Sequence, residues 1–482
     1  MSGSGATGSP WTPRARTVRA ARADVSTSAR LAAVSAAGAT RGADRWLTVI
    51  VVFVVACAVI ADRAVVAVST GGRGALGLLI FVAPAMALGA IAHYGTARTL
   101  SFLRSRVFLI GVAPYLALTL VLPFLGVMFN RYPERTLISI TEATTALSFL
   151  VLGAAASTAP LRQWRPWLVL AIVVQIVYAA GQLAYLGRAP GWEVFGPFHA
   201  WDLSLQGLYG TFVQARATGL YFNPNELGLW AGAAAILAWV IVTPRWRLGV
   251  VLLAVGTLVL SQSRGATVAL VAAAAVGAAM AILGGRASAS GAARTAISLG
   301  LATAVAVIVV VALQPSQGLI DRFSALAAVW TQGPRADANL AGRLDYWSSV
   351  IALNAVYPWG TLGPPEMLLG TAVDSSWFRV FAQGSVVYVG TMILLLISPF
   401  AIRATKFGEA LIMMTVLIAV AGLTQTPLNY PVVFLCWALL GAALQSSVIE
   451  SGRDPGTVGR NSVAFTSPRG LRPIVRPPAR RS

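Results

Sequence analysis

Trp246–Gln262 (WRLGVVLLAVGTLVLSQ) and Gly265–Gly284 (GATVALVAAAAVGAAMAILG) are apolar runs separated only by Ser263 and Arg264. Each is long enough to cross a ~30 Å hydrocarbon core as an α-helix. The stretch therefore reads as two membrane spans joined by a tight turn, Ser261-Gln-Ser-Arg-Gly265. Working outward, a hydropathy pass predicts about twelve spans. They fall at 46–68, 74–94, 107–129, 136–158, 166–187, 226–242, 246–262, 265–284, 295–313, 384–402, 407–425 and 429–448. The expected fold class is an all-α polytopic membrane protein.

Composition agrees. The chain has 482 residues, 57% hydrophobic and 11% charged. Soluble domains run nearer a quarter charged, so one or two soluble domains, a disordered chain and a disulfide scaffold are all excluded. Cys57 and Cys436 both lie in apolar runs, and no disulfide is expected. The run Leu47–Val68 reads as a first span, because the basic leader before it is too long for a signal-peptide n-region.

The formal charge of +20 is almost wholly arginine, Lys406 being the only lysine. Its longest basic stretches are a tail over 1–45 and a Pro/Arg-rich tail over 450–482, flanking a transmembrane domain over 46–449. Such tails set topology and meet anionic headgroups, so nucleic acid is not expected as a partner. An even span count puts both termini on one side. Arg and Lys are in excess on that side, which makes both termini cytoplasmic in a plasma membrane. Two outer segments are then long, 188–225 and 314–383, and long loops in a compact protein usually carry function.

The chemistry gathers in and beside those loops. In Ala215-Arg-Ala-Thr-Gly-Leu-Tyr-Phe-Asn-Pro-Asn-Glu-Leu-Gly228, Pro224 breaks the chain and Asn225 is placed to cap a helix starting at Glu226. A helix N-terminus with Arg216 nearby suits a phosphate or diphosphate. A plain cap with a snorkelling arginine is the equal alternative. Arg264, at the outer turn, and Arg343, in Gly342-Arg-Leu-Asp-Tyr-Trp347, add guanidinium groups on the same side. Together they would make a polyanion site.

Acidic groups are sparse. Asp374, in Val373-Asp-Ser-Ser-Trp-Phe-Arg379, leads into the tenth span and suits a general base for an incoming hydroxyl. A helix cap, or a partner for Arg379, is its simpler role. Glu142 shares a face with Ser139 and Thr145 in the fourth span, either for interhelical hydrogen bonds or to wall a polar cavity. His199 and His93 are the only histidines, and no Asp-x-Asp or Glu-x-x-His pattern occurs, so no metal site can be argued.

Arg216-Ala-Thr-Gly-Leu with Asn223-Pro-Asn-Glu-Leu-Gly228, then Ser263-Arg-Gly265, then Gly342-Arg-Leu-Asp-Tyr-Trp347 resembles the O-antigen ligase and polymerase superfamily. Order, spacing and outward location agree over roughly a third of the chain, and Pro358 with Gly360 and Gly363 loosely matches that family's Pro-x-x-Gly-x-Gly stretch. The resemblance implies a fold similar to the GT-C-like ligases. It implies an inverting, metal-independent glycosyltransferase with no cofactor, taking glycan from a polyprenyl-diphosphate-linked donor to a glycan or lipid acceptor. Arg216, Arg264 and Arg343 match the motif arginines that hold the diphosphate and stabilise the leaving group. Asn225 would join the diphosphate site, with Asn223, Glu142 and His199 in support. Where ligases carry a His-Asn-Ser-Tyr-Leu-like motif with a histidine base, this chain reads Asp374-Ser-Ser-Trp-Phe378. That departure leans toward polymerase chemistry with a carboxylate base. A multi-span transporter or lipid-linked-glycan flippase is the competing reading, and such proteins carry broken helices and ionisable groups at the membrane midplane.

Overall fold

The computed structural model describes residues 105–129, 161–185, 216–217, 219, 221, 224–283, 328–329, 331–363, 365–369, 373–402 and 406–429. Every regular element among them is helical. They are α1 (Ala113–Met128), extended backward by a π-helical turn over Val107–Val112; α2 (Leu161–Tyr185); α3 (Pro224–Ile241); α4 (Pro244–Ser261); α5 (Arg264–Leu283); α6 (Ala338–Val356); the single turn α7 (Glu366–Leu369); α8 (Ser376–Ile397); and α9 (Lys406–Ala421).

Among the described residues, five helical stretches are long and apolar enough to cross a membrane: Val107–Met128, Pro224–Ile241, Pro244–Ser261, Arg264–Leu283 and Ser376–Phe400. Arg165–Gly181 and Phe407–Ala421 are shorter apolar helices. These seven coincide with expected spans. The spans expected at 46–68, 74–94, 136–158, 295–313 and 429–448 lie outside the described residues, as do both basic tails.

Helix α3 is the core. Leu227 to Ala238 are buried almost without interruption, and the helix packs on α2, α4, α5 and α9. Its Ala231–Ala235 run keeps the surface narrow, so neighbouring helices approach closely through small residues. Glycines mark the crossings. A Cβ on Gly232 would meet the Leu417 side chain, one on Gly256 that of Ile176, and one on Gly277 the Met413 sulfur at 2.7 Å. At the far end of α3, Arg165 Nε donates to the Ile241 carbonyl at 3.0 Å, which satisfies one of the helix's last acceptors. The Arg247 guanidinium lies 5.3 Å from the Trp239 ring there, an interfacial pairing of cation and aromatic.

One expected boundary moves by several residues. The tenth span starts at Ser376, not 384, because Ser375 caps it by accepting from the Phe378 N–H. Inside it, Gly384 and Ser385 leave helical geometry, Ser385 with φ 57°. The carbonyls this break exposes are met from the long loop: Thr361 N–H donates to Ala382 O at 2.8 Å and Leu362 N–H to Gln383 O at 2.9 Å. Gly360, at φ +85°, is pressed so close that a Cβ would lie 2.4 Å from Gln383 O. Only glycine fits both that backbone angle and that gap.

Gly360→Ala should therefore unseat the loop and cost on the order of 1–3 kcal/mol, read as a lower melting temperature in detergent. Ser385→Gly, which removes a left-handed non-glycine residue, should melt no lower than wild type.

Candidate functional site

Helices α3, α5 and α8 begin, and α4 and α9 end, at one end of the bundle. The motifs noted in the sequence meet there. Helix α3 begins at Pro224, so Asn225 lies inside its first turn and is not the N-cap expected from the sequence. Its carboxamide oxygen accepts from Arg216 Nη2 at 2.8 Å and from Ser263 Oγ at 3.2 Å. Arg216 also donates to the carbonyls of Ser261 (3.2 Å) and Gln262 (3.3 Å), the frayed C-terminal end of α4. Gln262 turns that corner in left-handed conformation, φ 51°. Glu226, 6% exposed, already puts a carboxylate at the positive end of the α3 dipole.

The glycines of the two motifs are what bring them together. A Cβ on Gly228 would meet Ser263 Cβ at 2.5 Å and Ser261 Oγ at 2.7 Å; one on Gly265 would meet Thr424 Oγ1 at 2.6 Å and Gln425 Nε2 at 2.7 Å. The second contact reveals a segment the sequence did not single out, the turn after α9. Within it Gln425 Nε2 donates to Ser263 Oγ at 3.1 Å, and the carbonyls of Gly422 and Gln425 accept from the Ser376 N–H. No local motif marks this turn, because its importance comes from contacts with residues distant in the chain, Ser263 lying 162 positions before Gln425.

Arg264 pairs with Asp337, which is 7% exposed. That carboxylate also caps α6, accepting from the Leu340 N–H at 2.9 Å. One acidic group thus ties the start of α5 to the start of α6, a role its sequence context did not announce. Arg343, on α6, donates to Thr424 O at 2.9 Å and to Asp374 Oδ2 at 3.2 Å. Its Nε is buried and meets no acceptor among the described residues.

The simpler roles considered for Asp374 belong to neighbours. Ser375 caps α8, and Arg379 pairs with Glu366 at 2.7 Å. Asp374 is left beside Arg343 and 56% exposed, so one face of the carboxylate is open to solvent. Tyr346 lies near both acids. Burial first, then the charges of Glu366 and Asp374, push its phenol up to about 12. Trp347 stacks on Phe378 at 4.8 Å, which fixes α6 over the start of α8. Asn223, Glu142 and His199 lie outside the described residues.

Arg216, Asn225, Arg264, Arg343 and Asp374 therefore belong to one continuous set of contacts at one end of the bundle. Chemically the set is guanidinium groups around helix ends, with an exposed carboxylate at its rim. No protein-family model matches the chain, and no curated protein matches it in sequence.

Two consequences are measurable. Asp337→Asn keeps an oxygen for the α6 cap but loses the ion pair, whereas Asp337→Ala loses both. The alanine variant should be less stable than the asparagine one by about 1 kcal/mol, seen as a lower melting temperature. For Tyr346 the unfolded chain releases its phenol proton near pH 10.0, before the folded chain does at about 12. Stability should fall as pH rises through that interval, and Tyr346→Phe should flatten the fall.

Proposed function

We propose that the protein is a membrane glycosyltransferase of the O-antigen ligase and polymerase type. In this reading it takes glycan from a polyprenyl-diphosphate-linked donor on the outer face of the plasma membrane, with inversion and without a metal, and both termini are cytoplasmic. The observation that carries the proposal is the meeting of Arg216, Asn225, Ser263, Arg264 and Arg343 at one end of the bundle, with Asp374 exposed beside them. The sequence resemblance rests on the motifs that hold Arg216, Asn225, Ser263, Arg264 and Arg343, and Asp374 stands where it departs from the family pattern. Nucleotide sugars are absent outside the cell, so the donor arrives already activated, and its leaving group is a lipid diphosphate. Guanidinium forks suit that polyanion better than ammonium groups do, and they stabilise the charge that develops on departure.

The division of labour follows from position. Arg216 and Arg264 would hold the diphosphate. Arg343, with an Nε that lacks a protein acceptor among the described residues, would meet the phosphate oxygen carrying the leaving charge. Asp374 would accept the proton of the incoming hydroxyl through its open face. The carboxylate in place of a histidine favours joining of two lipid-linked units over transfer to an unrelated acceptor.

One observation speaks for transport or flipping instead, the broken helix α8. Its exposed carbonyls, however, are taken by Thr361 and Leu362, which leaves those two acceptors less available to a coupling ion. The ionisable groups of the candidate site lie at one bundle end, and Arg165, Arg245 and Arg247 lie toward the opposite end, not at the middle of spans.

A strain lacking this chain, complemented with wild type, Arg343→Ala or Asp374→Asn, separates the readings. With chemistry at this site, wild type restores the glycan profile and both variants lose at least a hundredfold of product formation, in the range of removed acid–base or oxyanion-type groups. Accumulation of single units on the lipid carrier identifies a polymerase, and of long chains a ligase. Full complementation by properly inserted variants removes the assignment.

A further inference from the structure

The turn after α9 carries both halves of the candidate site, and one side chain within it stands out. Gln425 is 4% exposed. Its Nε2 donates to Ser263 Oγ at 3.1 Å, while its Oε1 is buried and meets no donor among the described residues. A serine hydroxyl has one proton. With Ser263 Oγ accepting from Gln425 Nε2 at 3.1 Å and from the Ala266 N–H at 3.5 Å, that proton is directed at Asn225 Oδ1, 3.2 Å away. Asn225 Oδ1 in turn receives Arg216 Nη2 at 2.8 Å. The hydrogen bonds thus run in one direction, from Gln425 through Ser263 to the carboxamide that holds the Arg216 guanidinium. One residue earlier, Thr424 O holds Arg343 Nη1 at 2.9 Å.

We propose that Gln425 is a positioning residue of the site: through Ser263 and Asn225 it sets the orientation of Arg216, while its turn sets Arg343, so that both guanidinium groups address one diphosphate. The inference rests on the function proposed above in taking a lipid diphosphate as the ligand, and it adds a residue that neither the motifs nor their spacing indicated. Gln425 touches no substrate in this scheme and acts through Arg216. Replacing its donor by an apolar group of similar volume leaves Ser263 free to rotate its proton away from Asn225. Arg216 then keeps its carbonyl contacts on the end of α4 but loses its fixed counterpart at the start of α3.

The test is equilibrium binding of geranylgeranyl diphosphate to the full-length chain in nanodiscs, with geranylgeraniol as the uncharged control. Gln425→Met should weaken diphosphate binding roughly tenfold, about 1.4 kcal/mol, and leave binding of the alcohol unchanged. Because the effect passes through Arg216, the double variant Gln425→Met with Arg216→Met should bind no more weakly than Arg216→Met alone. Ser263→Ala interrupts the same chain and should reproduce the loss, which keeps the test available if Gln425→Met fails to fold. Additive losses, equal weakening of diphosphate and alcohol, or unchanged affinity in Gln425→Met would each overturn the positioning role while leaving a diphosphate site in place. Failure of the wild-type chain to prefer the diphosphate over the alcohol removes the diphosphate site and the role of Gln425 together.

Discussion

Close approach at two glycines is the constraint on which the described architecture depends. Gly228 lets α3 settle against the turn between α4 and α5, and Gly265 lets that turn settle against the one that follows α9. With a side chain at either place, helix ends would stand apart and their unpaired backbone groups would face each other without partners. Brought together, they are satisfied by arginines. Arg216 covers the last carbonyls of α4, and Arg343 covers one beyond the end of α9. Acidic groups sit where helices begin, Glu226 in the first turn of α3 and Asp337 before α6. These arginines and acids therefore meet the opposite sign of helix dipole, whereas Arg264, at the start of α5, is compensated by its ion pair with Asp337.

This arrangement bears on how a polyanion would bind. The guanidinium groups are oriented in advance on carbonyl, carboxamide and carboxylate acceptors, and such preorganisation lowers the cost of ordering them around a ligand. The same acceptors compete with the ligand. The Arg343–Asp374 contact, at 3.2 Å and with the acid more than half exposed, is the least committed of them. In the proposed reaction, a phosphate drawing Arg343 toward itself would release the Asp374 carboxylate to accept the proton of the incoming hydroxyl.

Much of this was legible in the sequence, for reasons that differ by residue. Membrane spans declare themselves through hydropathy, so α1, α3, α4 and α5 fall within a few residues of their expected limits. The motif residues Arg216, Asn225, Arg264 and Arg343 could be picked out because each lies in a short local pattern, the first three near an apolar run and Arg343 within a long outer loop. What remained hidden depends on distant pairing. Asp337 was one carboxylate among several in a long loop until α6 and α5 came together around it. Gln425 lay near the end of an expected span, where polarity alone says little. The start of α8 lies before its expected place because Arg379 and Gln383 pull down the mean hydropathy of Ser376–Gln383 although it is helical. Asn225 was displaced from the cap because Pro224, whose missing N–H suits the first helical position, is already in the helix.

The break in α8 also bears on bilayer thickness. From Ser376 to Phe400 the helical stretch covers 25 residues, roughly 37 Å at the usual rise per residue. The part after Ser385 amounts to roughly 22 Å, short of a hydrocarbon core of ~30 Å. If α8 stands near the bilayer normal, the kink falls within the reach of the acyl chains, where bare carbonyls would be costly. The N–H groups of Thr361 and Leu362 remove that cost. The segment around Gly360 is in this sense part of the membrane domain, and without it the fit of α8 to its lipid surroundings would have to come from local thinning or tilt.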